Sequence, residues 1–185
     1  MKTIEVELIG ETPLLMHRCA NMEESAAKKN PAKNYDAKEE AEKVAYRNSK
    51  GNLIIPSRCI KGCLLGASSW FKFGKKSAKP LLAGCVRINP VDVELLDLKD
   101  KTIKDYIIDK RPVVVQRNRI IRYRPRLDEW KLKFEIIYNE QLIADTDLIQ
   151  TILEESGQRV GLLDNRPQRY GECGCFKVSK FIPKK

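Results

Sequence analysis

Trp130, Leu132, Phe134, Ile136 and Tyr138 alternate with mostly polar neighbours, a period of two that fits an extended strand with one face buried. A second alternation at the N-terminus sets Ile4, Val6 and Leu8 against Glu5 and Glu7 and predicts a strand over about Thr3 to Leu8. Between the two the period becomes helical. Ile60, Cys63, Leu64, Ala67, Trp70 and Phe71 share one face of a helix for which Ser57 is a suitable N-cap, so this face is expected in the core. Val86 to Leu95 reads as a further strand. Leu148, Ile149, Ile152 and Leu153 form the inward face of a second helix, capped by Asp145 or Thr146 and ending at Gly157. Phe176, Val178 and Phe181 mark a closing strand. The order strand, helix, strand, strand, helix, strand is that of a ferredoxin-like α+β domain, in which four antiparallel strands carry both helices on one face. The other face is open, and RNA-recognition domains use such a face to stack bases.

The 185 residues suit one domain spanning 1–185, with insertions at about 18–50 and 97–128. Ala20 to Asn34 is rich in Ala, Lys and Asn and reads as a loop. Asp36 then caps a short polar helix reaching Arg47, with Glu39 and Lys43 as an i,i+4 pair. Lys72 to Lys79 reads as a basic loop and Asp97 to Asp105 as a polar connection. Val113 to Arg124 reads as an extended arm or hairpin.

Charge narrows the function. Lys43 to Arg87 carries ten Lys and Arg and no acid, and Lys110 to Arg126 carries seven more, six of them Arg, again with no acid. Like charges crowded this densely suit a surface that a polyanion neutralises, and the planar fork of Arg both grips phosphate and stacks on bases. No apolar run reaches the length that spans a bilayer, and the alternating N-terminus is unlike a signal peptide, so a cytoplasmic, non-membrane protein is expected. The six cysteines are then reduced thiols. Cys59 and Cys63, with Cys173 and Cys175, match the spacing of zinc ribbons poorly, and neither a metal nor another cofactor is expected.

The candidate nucleic-acid contacts fall in three groups. The arm supplies Arg117, Arg119, Arg122, Arg124 and Arg126, with Tyr123 as a stacking ring. The first helix supplies Ser57, Arg58 and Lys61 at its start, where free N–H groups attract anions, and Lys72, Lys75 and Lys76 beyond its end. The glycine-rich stretch from Gly157 to Gly174 supplies Arg159, Arg166, Arg169 and Tyr170, its missing side chains leaving room for a phosphate. Ser57 is read equally as a plain cap. His17 is the single histidine and the one candidate for acid–base catalysis.

Three features resemble the RAMP superfamily of CRISPR RNA-guided complexes. The stretch Leu53-Ile54-Ile55-Pro56-Ser57-Arg58-Cys59-Ile60-Lys61-Gly62 is similar to that family's strand, Ile-Pro, small polar residues and Lys-Gly opening the first helix, although the glycine usual after the proline is absent. Gly157 to Gly174 is similar to its glycine-rich loop, and the ferredoxin-like order agrees. The chain also looks like small stand-alone members from phages and prophages. The resemblance implies a non-catalytic protein that coats single-stranded RNA or DNA as a homo-oligomer, with CRISPR complex subunits as further partners. Two alternatives stay open: a metal-independent endoribonuclease using His17, and a phage-encoded mimic of a CRISPR backbone subunit.

Overall fold

The computed structural model describes residues 1–19, 36–115, 117–144 and 146–184. Its elements in chain order are β1 (Lys2–Gly10), β2 (Leu14–Leu15), α1 (Ala37–Lys43), β3 (Ile54–Pro56), α2 (Ser57–Ser68), β4 (Lys72–Phe73), β5 (Lys76–Ser77), α3 (Ala78–Cys85) and β6 (Val86–Asn89). There follow β7 (Asp92–Leu96), β8 (Ile107–Val115), β9 (Asn118–Leu127), β10 (Lys131–Tyr138), α4 (Thr146–Arg159), a 3-10 turn at Pro167–Arg169, and β11 (Phe176–Pro183).

The alternating strands form the sheet centre. β1 pairs antiparallel with β10 on one side and with β11 on the other, and β10 pairs in turn with β6 and β7. This places the last strand, the first, the third and the second side by side, the ferredoxin-like order. Ile4, Val6 and Leu8 point to the same side as Leu132, Phe134 and Ile136, and Ile60, Cys63, Leu64 and Ala67 of α2 and Ile149, Ile152 and Leu153 of α4 close over them. Burying each large aliphatic side chain contributes about 1.5–3 kcal/mol, so this layer dominates the stability of the domain.

Two close approaches fix the ends of that layer. Trp130 is fully buried, its Nε1 donates to the Thr12 carbonyl at 2.9 Å, and its ring meets Phe176 edge-on at 6.4 Å. Gly10 lies against the indole, where a Cβ would overlap the ring. Gly157 was expected to end the second helix, but α4 continues through it to Arg159. A Cβ at Gly157 would run into the Phe176 carbonyl, so glycine here brings the helix onto β11.

Several local expectations are corrected. Ser57 is the first helical residue of α2 and not its cap: Pro56 occupies the cap position, with no side-chain cap hydrogen bond. α2 stops at Ser68, so Trp70 leaves the helical register and is 53% exposed, while Phe71 packs on the edge of the core. Lys72 to Lys79 is a two-strand hairpin running into α3, with Ala78 and Leu82 buried. Asp36 does cap α1, accepting from the Lys38 amide at 2.9 Å, and Lys43 pairs with Glu39 at 2.7 Å, but the helix ends at Lys43. The Ala20–Asn34 loop and the Asp145 cap lie outside the described residues.

β8 and β9 form a long hairpin that pairs through β9 with β2, making a second sheet. α1 packs on its base, tied by Arg122 to Glu40 at 3.4 Å. The Met16 amide donates to Pro125 at 3.0 Å and the Arg18 amide to Val44 at 2.8 Å, so residues 16–18 lie between the hairpin and the segment after α1.

Candidate nucleic-acid interface

The start of α2 and the glycine-rich segment meet around an open cavity of about 220 Å³, lined by Cys59, Gly62, Cys63, Val160, Gly161, Leu163, Arg166 and Gln168. No acid lines it. Gly62 is bare, with nothing within 4 Å of where a Cβ would stand, so the cavity reaches the helix backbone. Arg166 is oriented by the Leu163 carbonyl at 2.7 Å, and Arg58 lies beside Tyr46 and Cys59, where Arg18 also approaches Tyr46. Arg169 and Tyr170 are exposed on the 3-10 turn that follows. Arg58, Arg166, Arg169 and Tyr170 are thus brought to one side of the molecule. Arg18, Tyr46 and Gln168 join them without any signal in their sequence spacing.

The other two members of the first-helix group are engaged. The Ser57 amide donates to Val91 at 2.7 Å, and Lys61 donates to the Ala83 carbonyl near the end of α3 at 2.7 Å. The glycines of the loop are also consumed internally: side chains at Gly171 and Gly174 would overlap the carbonyls of Asn165 and Leu162. Their absence packs the loop on itself and does not of itself open room for phosphate. Cys59 and Cys63 face the cavity as protonated thiols, burial pushing Cys59 up and Cys63 up to about 12. Among the described residues no three His, Cys, Asp or Glu gather as a metal site would require.

His17 stands at the edge of this region, its Nδ1 4.0 Å from Asp164, the residue after Leu163. Partial burial lowers its pKa below the ordinary imidazole value; Asp164 pulls it back up, while Arg124 and Arg122 push it further down. Because the unfolded chain takes this proton at higher pH, the group costs the fold stability as pH falls below about 6.5 and nothing above it. A proton NMR titration of the single histidine is expected to give a midpoint below that of free histidine. Asp164→Asn should lower it further. A midpoint that rises in the variant would contradict this placement.

The arm divides into free and spent arginines. Arg117 lies at the turn with a positive φ of 66°, and it and Arg119 are exposed with no acidic partner among the described residues. Arg122 pairs with Glu40, and Arg126 with Asp128 at 2.6 Å. Arg124 is buried between Asp164, which its guanidinium contacts closely, and Asp109 at 3.9 Å. Lys110 lies 5.9 Å over the ring of Tyr123. At the far end of α2, Arg159 stacks over Trp70 at 5.4 Å and pairs with Glu155 at 2.7 Å. Lys72, Lys75 and Lys76 are exposed on the β4–β5 hairpin.

The open face of the main sheet is not a stacking platform. It is laced with ion pairs: Lys133 and Lys180 with Glu7 at 3.5 and 3.8 Å, Lys184 with Glu5 and Glu135 at 2.8 Å each, and Lys131 and Lys133 with Asp100 at 2.5 and 2.8 Å. Those two lysines hold the Asp100 carboxyl down to about 2. The shallow concavity there, about 420 Å³, is lined by Glu5, Glu7 and Glu135 among its lysines and offers no exposed ring.

Over its whole length the chain matches, with a TM-score of 0.59 and 13% sequence identity, a chain of the type III-B Cmr-beta solved by cryo-electron microscopy bound to cognate target RNA. The two share a ferredoxin-like fold. The present chain spans 61% of the length of that one. No protein-family model matches the sequence, and no curated protein matches it either. No helix among the described residues is long and apolar enough to cross a membrane.

Proposed function

We propose that the protein binds single-stranded nucleic acid, RNA in the first instance, as a backbone-like subunit of a CRISPR-type assembly, and that it coats the strand as a homo-oligomer. The observation that carries this reading is the acid-free cavity at the start of α2, with Arg166 on its lining and Arg58 beside Cys59 at its edge. Helix N-terminal amides add partial positive charge at the same place. The fold shared with a chain of an RNA-bound Cmr-beta supports the ligand class. In this reading one RAMP-like domain spans 1–185, with 18–50 and 97–128 as its insertions, and the exposed Arg117 and Arg119 extend the contact surface along the arm. Cleavage by His17 is the second reading, favoured by an imidazole held neutral beside Asp164 next to the cavity.

The test is the nucleic acid that the purified protein retains and the stoichiometry it reaches. Bound protein per strand should grow with oligonucleotide length, and short strands should bind less tightly because fewer neighbouring subunits brace one another on them. A fixed one-to-one complex at every length would overturn coating. Newly cut RNA ends that vanish in His17→Ala, without added metal, would make the protein an endoribonuclease instead.

A further inference from the structure

Arg58, Gly62 and Gly66 follow one another at intervals of four and share one ridge along α2, and Trp70 stands two residues past the end of that helix. The cavity opens over Gly62. At Gly66 the absent side chain lets Val160 and Gln168 close onto the helix, and Trp70 follows just beyond the helix end.

Trp70 is unlike the other tryptophan. Trp130 is fully buried, whereas Trp70 keeps 53% of its surface in solvent even with the Arg159 guanidinium against its ring. Glu155 holds that guanidinium in place and is itself neutralised by it. The next residues in the chain carry Lys72, Lys75 and Lys76, all exposed. A large exposed ring among cations is poorly suited to an apolar protein partner, whose binding would strip water from those charges. It is well suited to a polyanion whose bases present π-faces.

We infer that Trp70, braced by Arg159, is a nucleobase-stacking subsite, which takes one base of a single strand while neighbouring phosphates meet Lys72, Lys75 and Lys76. The inference rests on the proposed binding function and assigns to it a ring that sequence periodicity had placed in the core.

The two tryptophans make the test direct. Binding is followed independently by the anisotropy of a fluorescein-labelled oligouridylate, and stacking by the intrinsic emission of the protein with an unlabelled strand. The solvent-exposed, acrylamide-accessible part of the emission should be quenched by oligouridylate and not by an abasic strand of the same length. In Trp70→Ala the remaining emission, from Trp130, should not respond, and affinity for oligouridylate should fall roughly fivefold or more, with Trp70→Phe restoring most of it. Trp70→Ala should keep the thermal midpoint of the parent because the ring is exposed, which separates loss of stacking from loss of fold. Anisotropy that reports binding with no quenching, or equal quenching by the abasic strand, would overturn the stacking subsite and leave the binding function standing. Absence of any anisotropy change would overturn both.

Discussion

Replacing Arg124 by Ala is expected to destabilise the protein by about 3–5 kcal/mol, the range for removing one partner of a buried ion pair. Only 9% of the Arg124 side chain and 5% of that of Asp109 remain exposed, and Asp164 approaches the same guanidinium. Without Arg124 the Asp109 carboxylate stays buried with Arg111, whose side chain is 45% exposed, as its remaining partner at 2.9 Å. The intact cluster contributes less than this loss suggests, because Arg124 Nε and Asp109 Oδ2 are buried without hydrogen-bond partners among the described residues. Urea denaturation of Arg124→Ala, beside the double variant Arg117→Ala/Arg119→Ala, checks the assignment. The double variant should keep the parent midpoint. An Arg124→Ala protein as stable as the parent would show that this arginine is free for ligand after all.

That contrast marks what the sequence could disclose. The ferredoxin-like order was legible because burial imposes period two on Ile4, Val6 and Leu8 and on Leu132, Phe134 and Ile136, and period 3.6 on Ile60, Cys63, Leu64 and Ala67. Trp70 extended that helical pattern on paper, but α2 ends two residues earlier and periodicity carries no information past a helix end. α3 was hidden because its eight residues contain Pro80 and Gly84, which read as loop signals. Pro80 is tolerated there because the first turn of a helix has no amide partner to lose.

The candidate site was less legible than the fold, and for a physical reason. A run without acids in sequence need not lack them in space. Glu40 comes from α1, Asp164 from the loop after α4, and Asp109 from the neighbouring strand, and together they occupy Arg122 and Arg124. Register explains the pattern: Asp109, Arg111, Arg122 and Arg124 occupy the same face of the hairpin as cross-strand neighbours, with Asp109 and Arg124 buried, whereas Arg117 and Arg119 lie at and beside its tip. In the same way the glycines of 157–174 signalled close approach correctly, but the approaching atoms belong to the protein's own backbone.

Binding to single strands is expected to fall about a hundredfold for a fourfold rise in salt, if about five phosphates are neutralised and each adds about 0.7 to the logarithmic salt slope. Among the described residues, the cations without an acidic partner that are available to do this include Arg117 and Arg119 on the arm, Arg58, Arg166 and Arg169 around the cavity, and the lysines of the β4–β5 hairpin. Arg122 and Arg126 already face Glu40 and Asp128, so their positive charge is largely neutralised before ligand arrives. Arg117→Ala/Arg119→Ala should therefore flatten the slope by about 0.7 for each phosphate left without its arginine, whereas Arg122→Ala and Arg126→Ala should leave it nearly unchanged. The measurement is a titration of a labelled oligonucleotide over a range of salt concentrations, with each variant first shown to be folded. A flat salt dependence in the parent would remove phosphate neutralisation as the driving force. A slope that drops for Arg122→Ala but not for the tip arginines would move the binding surface from the end of the arm to its base, beside α1.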